Sequence, residues 1–404
     1  MRAIWRLGGY ACLAALTVLV GGCSNSNDGD AKGGSAGAST TGGSGTTGGS
    51  GGTSSGGTTG GGSGGLLGDG YECKAPATKC KGHCITAATP ADDCALITEG
   101  TFDDLQLVGD TLYIRDYADV VKVAKAGGTP TPVLTNNTAA FFHVDGDYVY
   151  FGWEFAPIGL KPAPKGGYVA RAPLAGGAAE YLVDELHSVR AVRVVGTTLY
   201  MADCASGAGG LFSTGPLGQI SIDNQATQLV ASVDAVCSFE IDGQFAYAGI
   251  ETPGHLGQLV KVPLAGGDPQ VLYQGDMDES FNVFANSGYL YWVSYSNALH
   301  AFAPPGKLGR VELATGTNTV LADTDGYSTK LTADANYAYI ASSSLLWRVP
   351  VTGGEPERVL TADNEQLGPY VLDGDSFIIA LAGTDDHAGG LLRTSTKPEK
   401  LPTP

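Results

Sequence analysis

Residues 238–273 read SFEIDGQFAYAGIETPGHLGQLVKVPLAGGDPQVLY, and the spacing of apolar runs and turn residues in this stretch decides the fold. Ser238 to Ile241 alternates as a first strand, Asp242-Gly243 is a tight turn, and Phe245 to Ile250 is a second strand. Gln258 to Leu264 is a third, Gly266-Gly267 turns again, and Gln270 to Tyr273 is a fourth. Asp-Gly and Gly-Gly pairs between apolar runs suit two-residue hairpins, in which both central positions take positive φ. On this reading the Asp of each such turn, Asp145, Asp242 and Asp373 among them, serves backbone geometry.

The hairpin recurs seven times: LQLVGDTLYI from Leu105, FHVDGDYVYF from Phe142, VRVVGTTLYM from Val192, FEIDGQFAYA from Phe239, VFANSGYLYW from Val283, LTADANYAYI from Leu331 and VLDGDSFIIA from Val371. Third strands repeat as YVARAPL from Tyr168, LVKVPLA from Leu259, RVELATG from Arg310 and LLWRVPV from Leu345. Turn centres at Gly109, Gly146, Gly196, Gly243, Ser287, Ala335 and Gly374 are spaced by about 37 to 50 residues, the range of propeller blades. A unit that cannot bury its own apolar faces stacks on its neighbours, and a closed ring removes the edges that an open solenoid would expose. The expected fold is all-β, a seven-bladed β-propeller of four-stranded antiparallel blades. How the ring closes is left open. Leu391 onward parallels Leu346 onward, so the C-terminus would supply the last blade's fourth strand and the ring would close by apolar packing. Alternatively, residues 94–101 add an outer strand, with the cysteine-rich segment clasping it.

Four regions are expected: a signal peptide over 1–22, a linker over 23–70, a disulfide-rich module over 71–98 and the propeller over 99–404. Arg2 and Arg6, then the apolar run Leu13 to Val20, read as an export signal too short for a confident membrane span. Residues 24–70 are almost wholly Gly, Ser, Thr, Ala and Asn, a flexible tether with nothing to bury. Six cysteines outside the signal and Cys23 are Cys73, Cys80, Cys84, Cys94, Cys204 and Cys237, an even count that in an oxidising compartment reads as disulfides. The first four allow three connectivities. Cys204 ends a second strand and Cys237 begins the next blade's first strand, so these two are expected to pair. A formal net charge of −18, with no Lys/Arg cluster beyond the signal, argues against nucleic acid as a partner.

Antiparallel order puts the first-to-second and third-to-fourth turns on one face and the second-to-third connectors on the other. The connectors are long and individual, and variable loops on a rigid scaffold are the usual place of recognition. Binding candidates there are Trp153, Phe155, Phe212, His255, Tyr295, His300, Asp386 and His387, while His143 reads as a buried strand residue. No catalytic set, resident metal or cofactor is assigned, because no serine elbow, zinc-helix motif or phosphate loop occurs.

Val20-Gly21-Gly22-Cys23 resembles a bacterial lipobox, which implies lipidation of Cys23, and Ser24 after it implies sorting to the outer membrane. Cys80, Cys84, Asp92 or Asp93, and Cys94 resemble the short cysteine modules of myxobacterial-type surface lipoproteins. YVYFGWE from Tyr148 and YLYWVSYS from Tyr289 resemble YWTD and NHL-type propellers, without the full YWTD tetrad. These resemblances imply a lipid-anchored envelope protein, periplasmic or surface-exposed, held to the bilayer by N-terminal acylation and binding a protein, peptide or glycan. The alternative is a metal-assisted propeller lyase or hydrolase using His300, His387 and neighbouring carboxylates.

Overall fold

The structure, a computed structural model, describes residues 78–80, 83–87, 94–117, 119–135, 139–153, 167–186, 189–203, 217–231, 235–251, 256–277, 279–296, 306–324, 330–342, 344–362, 366–382 and 389–394. Among these there are thirty strands and no helix. Strands β1 (Thr78–Cys80) and β2 (His83–Ala87) form a hairpin, and β3 (Cys94–Glu99) follows. Blade 1 is β4 (Asp104–Val108), β5 (Thr111–Asp116), β6 (Asp119–Ala124) and β7 (Thr131–Leu134). Blade 2 is β8 (Phe141–Asp145), β9 (Tyr148–Trp153), β10 (Gly167–Pro173) and β11 (Glu180–Leu186). Blade 3 is β12 (Val189–Val195), β13 (Thr198–Asp203), β14 (Leu217–Ser221) and β15 (Thr227–Ala231). Blade 4 is β16 (Ala235–Asp242), β17 (Phe245–Glu251), β18 (Leu256–Pro263) and β19 (Gln270–Met277). Blade 5 is β20 (Glu279–Asn286), β21 (Tyr289–Ser296), β22 (Lys307–Glu312) and β23 (Asn318–Asp323). Blade 6 is β24 (Lys330–Ala333), β25 (Tyr337–Ser342), β26 (Leu345–Pro350) and β27 (Glu357–Ala362), and blade 7 holds β28 (Gln366–Asp373), β29 (Ser376–Ala382) and β30 (Gly390–Thr394).

The first strand of every blade touches the first strands of both neighbours, and β28 touches β4, so seven innermost strands form a closed ring. Seven apolar clusters follow from this arrangement, one at each junction between blades. Phe142, Phe151 and Tyr168 of blade 2 meet Tyr113 and Val120 of blade 1, and Tyr247 of blade 4 meets Phe281 and Trp292 of blade 5. Alternation along each strand is what feeds both faces, since successive side chains leave a strand on opposite sides. The sheet is therefore sandwiched between two cores and needs apolar residues in both phases, as Leu112, Tyr113 and Ile114 show in β5.

The seventh blade is completed from the other end of the chain. β3 pairs antiparallel with β30 as its fourth strand. The C-terminal stretch that parallels an outer strand in sequence, KPEKLPT from Lys397, has one leucine among charged residues and prolines and so offers little to the two inter-blade cores. β3 instead supplies Ile97 to the blade 7–blade 1 cluster and Cys94, with Leu96 beside it, to the blade 6–blade 7 cluster. The β1–β2 hairpin adds to the outer edge of blade 6, with Ile85, Thr86 and Ala87 of β2 opposite Ala362, Thr361 and Leu360 of β27. The described strands of the cysteine-rich segment thus pair into two sheets, β1 and β2 with blade 6 and β3 with blade 7.

The tight turns differ from their expected form. In five blades the two central residues begin with glycine, at Gly109, Gly146, Gly196, Gly243 and Gly374, each with φ between 55° and 61°, and the residue after it has no positive φ. Glycine alone in the first central position marks type II′, not type I′. Only Ser287-Gly288, at 52° and 80°, has both. Asp145, Asp242 and Asp373 are therefore the last paired residues of their strands, opposite Tyr148, Phe245 and Ser376, and not turn formers. Asp373 takes Lys125 of blade 1 at 3.0 Å and, within its own blade, Arg393 at 2.9 Å.

Candidate functional site

At one face the first-to-second turn of a blade is locked to its third-to-fourth turn by a backbone hydrogen bond. Lys125 donates to Asp110, Leu174 to Asp147, Ile222 to Thr197, Leu264 to Gln244, Leu313 to Gly288 and Val351 to Asn336, all at 2.8 to 3.0 Å. This face is short, uniform and self-satisfied. The long connectors spring from the opposite strand ends, where residues 154–166, 204–216 and 297–305 join second strands to third strands.

Of the residues singled out on that connector face, two lie among those described. Trp153 closes β9 half-buried and packs against the cluster between blades 1 and 2. Tyr295, on β21 opposite Ser280, is also half-buried. Phe155, Phe212, His255, His300, Asp386 and His387 lie outside the described residues, as do Cys23, Cys73 and Cys204. Cys80 and Cys84 fall in β1 and β2, and Cys237 in β16 at the bulge between Val236 and Ser238. Cys94 is buried and disulfide-bonded. Among the described residues no three of His, Cys, Asp and Glu stand close enough to hold a metal ion.

A second cluster, on the innermost strands, escaped the sequence reading. The residue three before each turn centre is Gln106, His143, Arg193, Glu240, Phe284, Thr332 and Val371, so four consecutive blades place a polar side chain at one level of the inner ring. An innermost strand pairs on one side only, which leaves backbone groups facing the axis. Gln106 satisfies two of them on the next blade: its Nε2 donates to the Val144 carbonyl at 3.0 Å and its Oε1 accepts from the Val144 N–H at 2.8 Å. Arg193 and Glu240 join blades 3 and 4 by two parallel bonds, Nη2 to Oε1 at 2.5 Å and Nε to Oε2 at 3.1 Å. Two residues earlier along the strands, Lys330 of blade 6 reaches Asp104 of blade 1 at 3.2 Å. Those blades are not neighbours. β28 stands between them in the ring.

His143 stands in this collar with Arg193 and Asp104 within electrostatic range. Burial, and after it the Arg193 cation, hold its imidazole down to about 4 from an ordinary 6.5, with Asp104 opposing. The ring is neutral at physiological pH. Between pH 6.5 and 4 the unfolded chain binds a proton here that the folded chain refuses, so stability falls with acidification through that window. Each unit contributes about 1.4 kcal/mol. Urea unfolding at pH 7 and pH 5 is expected to show about 2 kcal/mol more acid-induced loss in the wild type than in His143→Gln. Equal losses would mean that the imidazole titrates normally.

No family model matches the chain, and no curated protein matches it. Among solved structures it is similar to the extracellular domain of BT4673 of B. thetaiotaomicron, described as a one-component system, with TM-score 0.54 and 12% identity over 74% of this chain and 39% of that one. A second structure of that domain, described as a hybrid two-component system, gives TM-score 0.53 at 12% identity and the same coverage. An oligogalacturonate lyase in complex with manganese gives TM-score 0.49 at 13% identity, over 81% of this chain and 96% of that one. The chain spans about two fifths of the length of the first. At such identities the likeness is one of fold.

Proposed function

We propose that this chain is an exported, lipid-anchored cell-envelope protein that binds a protein, peptide or glycan through the connector face of its propeller. The observation that carries the reading is the inequality of the two faces. One is closed off by turns that hydrogen-bond to each other in six blades, which holds their backbones in place. The other receives every long connector of the ring, where sequence can vary without disturbing a blade. Outer-membrane anchoring rests on Cys23 and on the Gly/Ser/Thr tether behind it, and two acyl signals at one residue suffice for stable attachment.

The domain beginning at Leu67, immobilised and probed with envelope glycan and peptide arrays, is expected to retain a discrete ligand set. Phe155→Ala combined with His255→Ala is expected to weaken that binding at least tenfold, and Asp147→Ala in a turn on the opposite face to leave it unchanged. Loss of binding through the turn face alone, or no retained ligand, would overturn the reading.

A further inference from the structure

Cys94 is buried in the cluster between blades 6 and 7 and is disulfide-bonded, and the strand registers single out its partner. Positions along a strand alternate between the two faces of its sheet, and residues directly opposite each other across a ladder share a face. In blade 6, Leu360 and Ala362 of β27 belong to the cluster shared with blade 7. Ala87 and Ile85 of β2 stand opposite them, which puts these two positions on the blade 7 face. His83 keeps the same phase along β2. Across the hairpin Cys80 is opposite His83, whereas Cys84 is opposite Lys79. Cys80 therefore holds a position on the blade 7 face and Cys84 one on the other face.

The matching position on blade 7 follows from the β3–β30 ladder, where Cys94 is opposite Thr394 and Leu96 opposite Leu392. Leu96 and Leu392 join the cluster with blade 6, while Ile97 joins the cluster with blade 1, so Cys94 faces blade 6. Both cysteines also belong to outermost strands, β1 in the sheet of blade 6 and β3 in that of blade 7. β1 lies against β3, and Cys80 is the cysteine that β1 carries. A bond between Cys80 and Cys84 would join opposite faces of one hairpin, which a disulfide does not span unless the backbone moves.

We propose that Cys80 and Cys94 form a disulfide that clasps blade 6 to blade 7 at the rim, beside the strand that closes the ring. Cys84, on the other face, is left to Cys73. In forming the clasp the two thiols give up two protons and two electrons to a disulfide-bearing oxidant of the exporting compartment, which departs as a dithiol. The clasp rests on export alone and is independent of what the connector face binds. Residues 80–94 become a closed loop of 15 residues, so the hairpin on blade 6 and β3 on blade 7 stay tethered when either ladder opens. Such a bond stabilises mainly by restricting the unfolded chain.

The test is a disulfide map of the full chain, exported to the periplasm of an expression host, alkylated without reductant and digested with trypsin and Asp-N protease. Cys80 then lies in the dipeptide 80–81, Cys84 in 82–91, Cys94 in 93–102 and Cys73 in 69–74. The expected species is 80–81 joined to 93–102. Cys80→Ser is expected to expose Cys94 to a maleimide in denaturant and to lower the melting midpoint by about 5 °C or more. In Cys84→Ser, Cys94 should stay blocked. Finding 93–102 joined to 82–91 or to 69–74, or Cys94 still blocked in Cys80→Ser, would overturn the proposal.

Discussion

A chain beginning at Asp103 is expected to lose cooperative folding at ordinary temperatures, whereas one beginning at Asp92 folds. The first lacks β3, the strand that completes blade 7 from the far end of the sequence. Its loss strips the ladder from β30, whose Leu391 and Leu392 are opposite Thr98 and Leu96. It also removes Ile97 from one inter-blade cluster and Cys94 from the next. Deleting a buried aliphatic side chain alone costs about 2 to 5 kcal/mol, and here two cores open together with a row of backbone bonds, so the total is roughly 5 kcal/mol or more. At about 2 to 4 °C per kcal/mol for a domain of this size, the melting midpoint falls by more than 10 °C. The chain from Asp92 keeps β3 and gives up the hairpin, which is opposite β27 at three positions. Calorimetry on both proteins decides the matter. Equal midpoints would show that the ring is held by inter-blade packing without its closing strand.

Local repetition made the blades legible and nothing more. Each hairpin, with its glycine turn and apolar runs, is specified within about 40 residues, so strand order within a blade can be read directly. Closure is not local. β3 and the C-terminal residues compete for one edge 300 positions away, and the winner is decided by which has apolar side chains in both phases. Ile97 and Leu96 qualify, while Lys397, Glu399 and Lys400 do not. The collar was illegible for a related reason. Gln106, His143, Arg193 and Glu240 each look like the polar phase of an alternating strand, and only a closed ring sets four such residues at one level of neighbouring innermost strands. Aligning the seven hairpins on their turns and reading the column three residues before each turn centre would have exposed them. The misread Asp-Gly turns have a different cause. Asp before Gly fits type I′, but the hairpin register places the aspartate one position earlier, as the final paired residue.

Gly309→Ala is expected to destabilise the propeller by about 3 kcal/mol, and to do almost nothing once Trp292 is gone. Trp292 on β21 is fully buried and directly opposite Gly309 on β22. Its indole lies across that glycine and reaches the next strand, where Nε1 donates to Asn318 Oδ1 at 2.9 Å. A methyl group at 309 would overlap Cζ2 and Cε2 of the ring. The ring cannot retreat, because Tyr273 stacks on it at 4.4 Å and Phe281 meets it edge-on at 5.8 Å. Trp292→Ala by itself removes these contacts and leaves Asn318 without its donor, at a cost of about 3 to 5 kcal/mol. With the indole absent, the three atoms nearest the added methyl are gone and the overlap is relieved. Urea unfolding of the two single variants and the double variant forms a cycle whose coupling should approach the full cost of Gly309→Ala. Strict additivity would mean that the glycine is present for backbone reasons, and its φ, outside the positive region, gives it none.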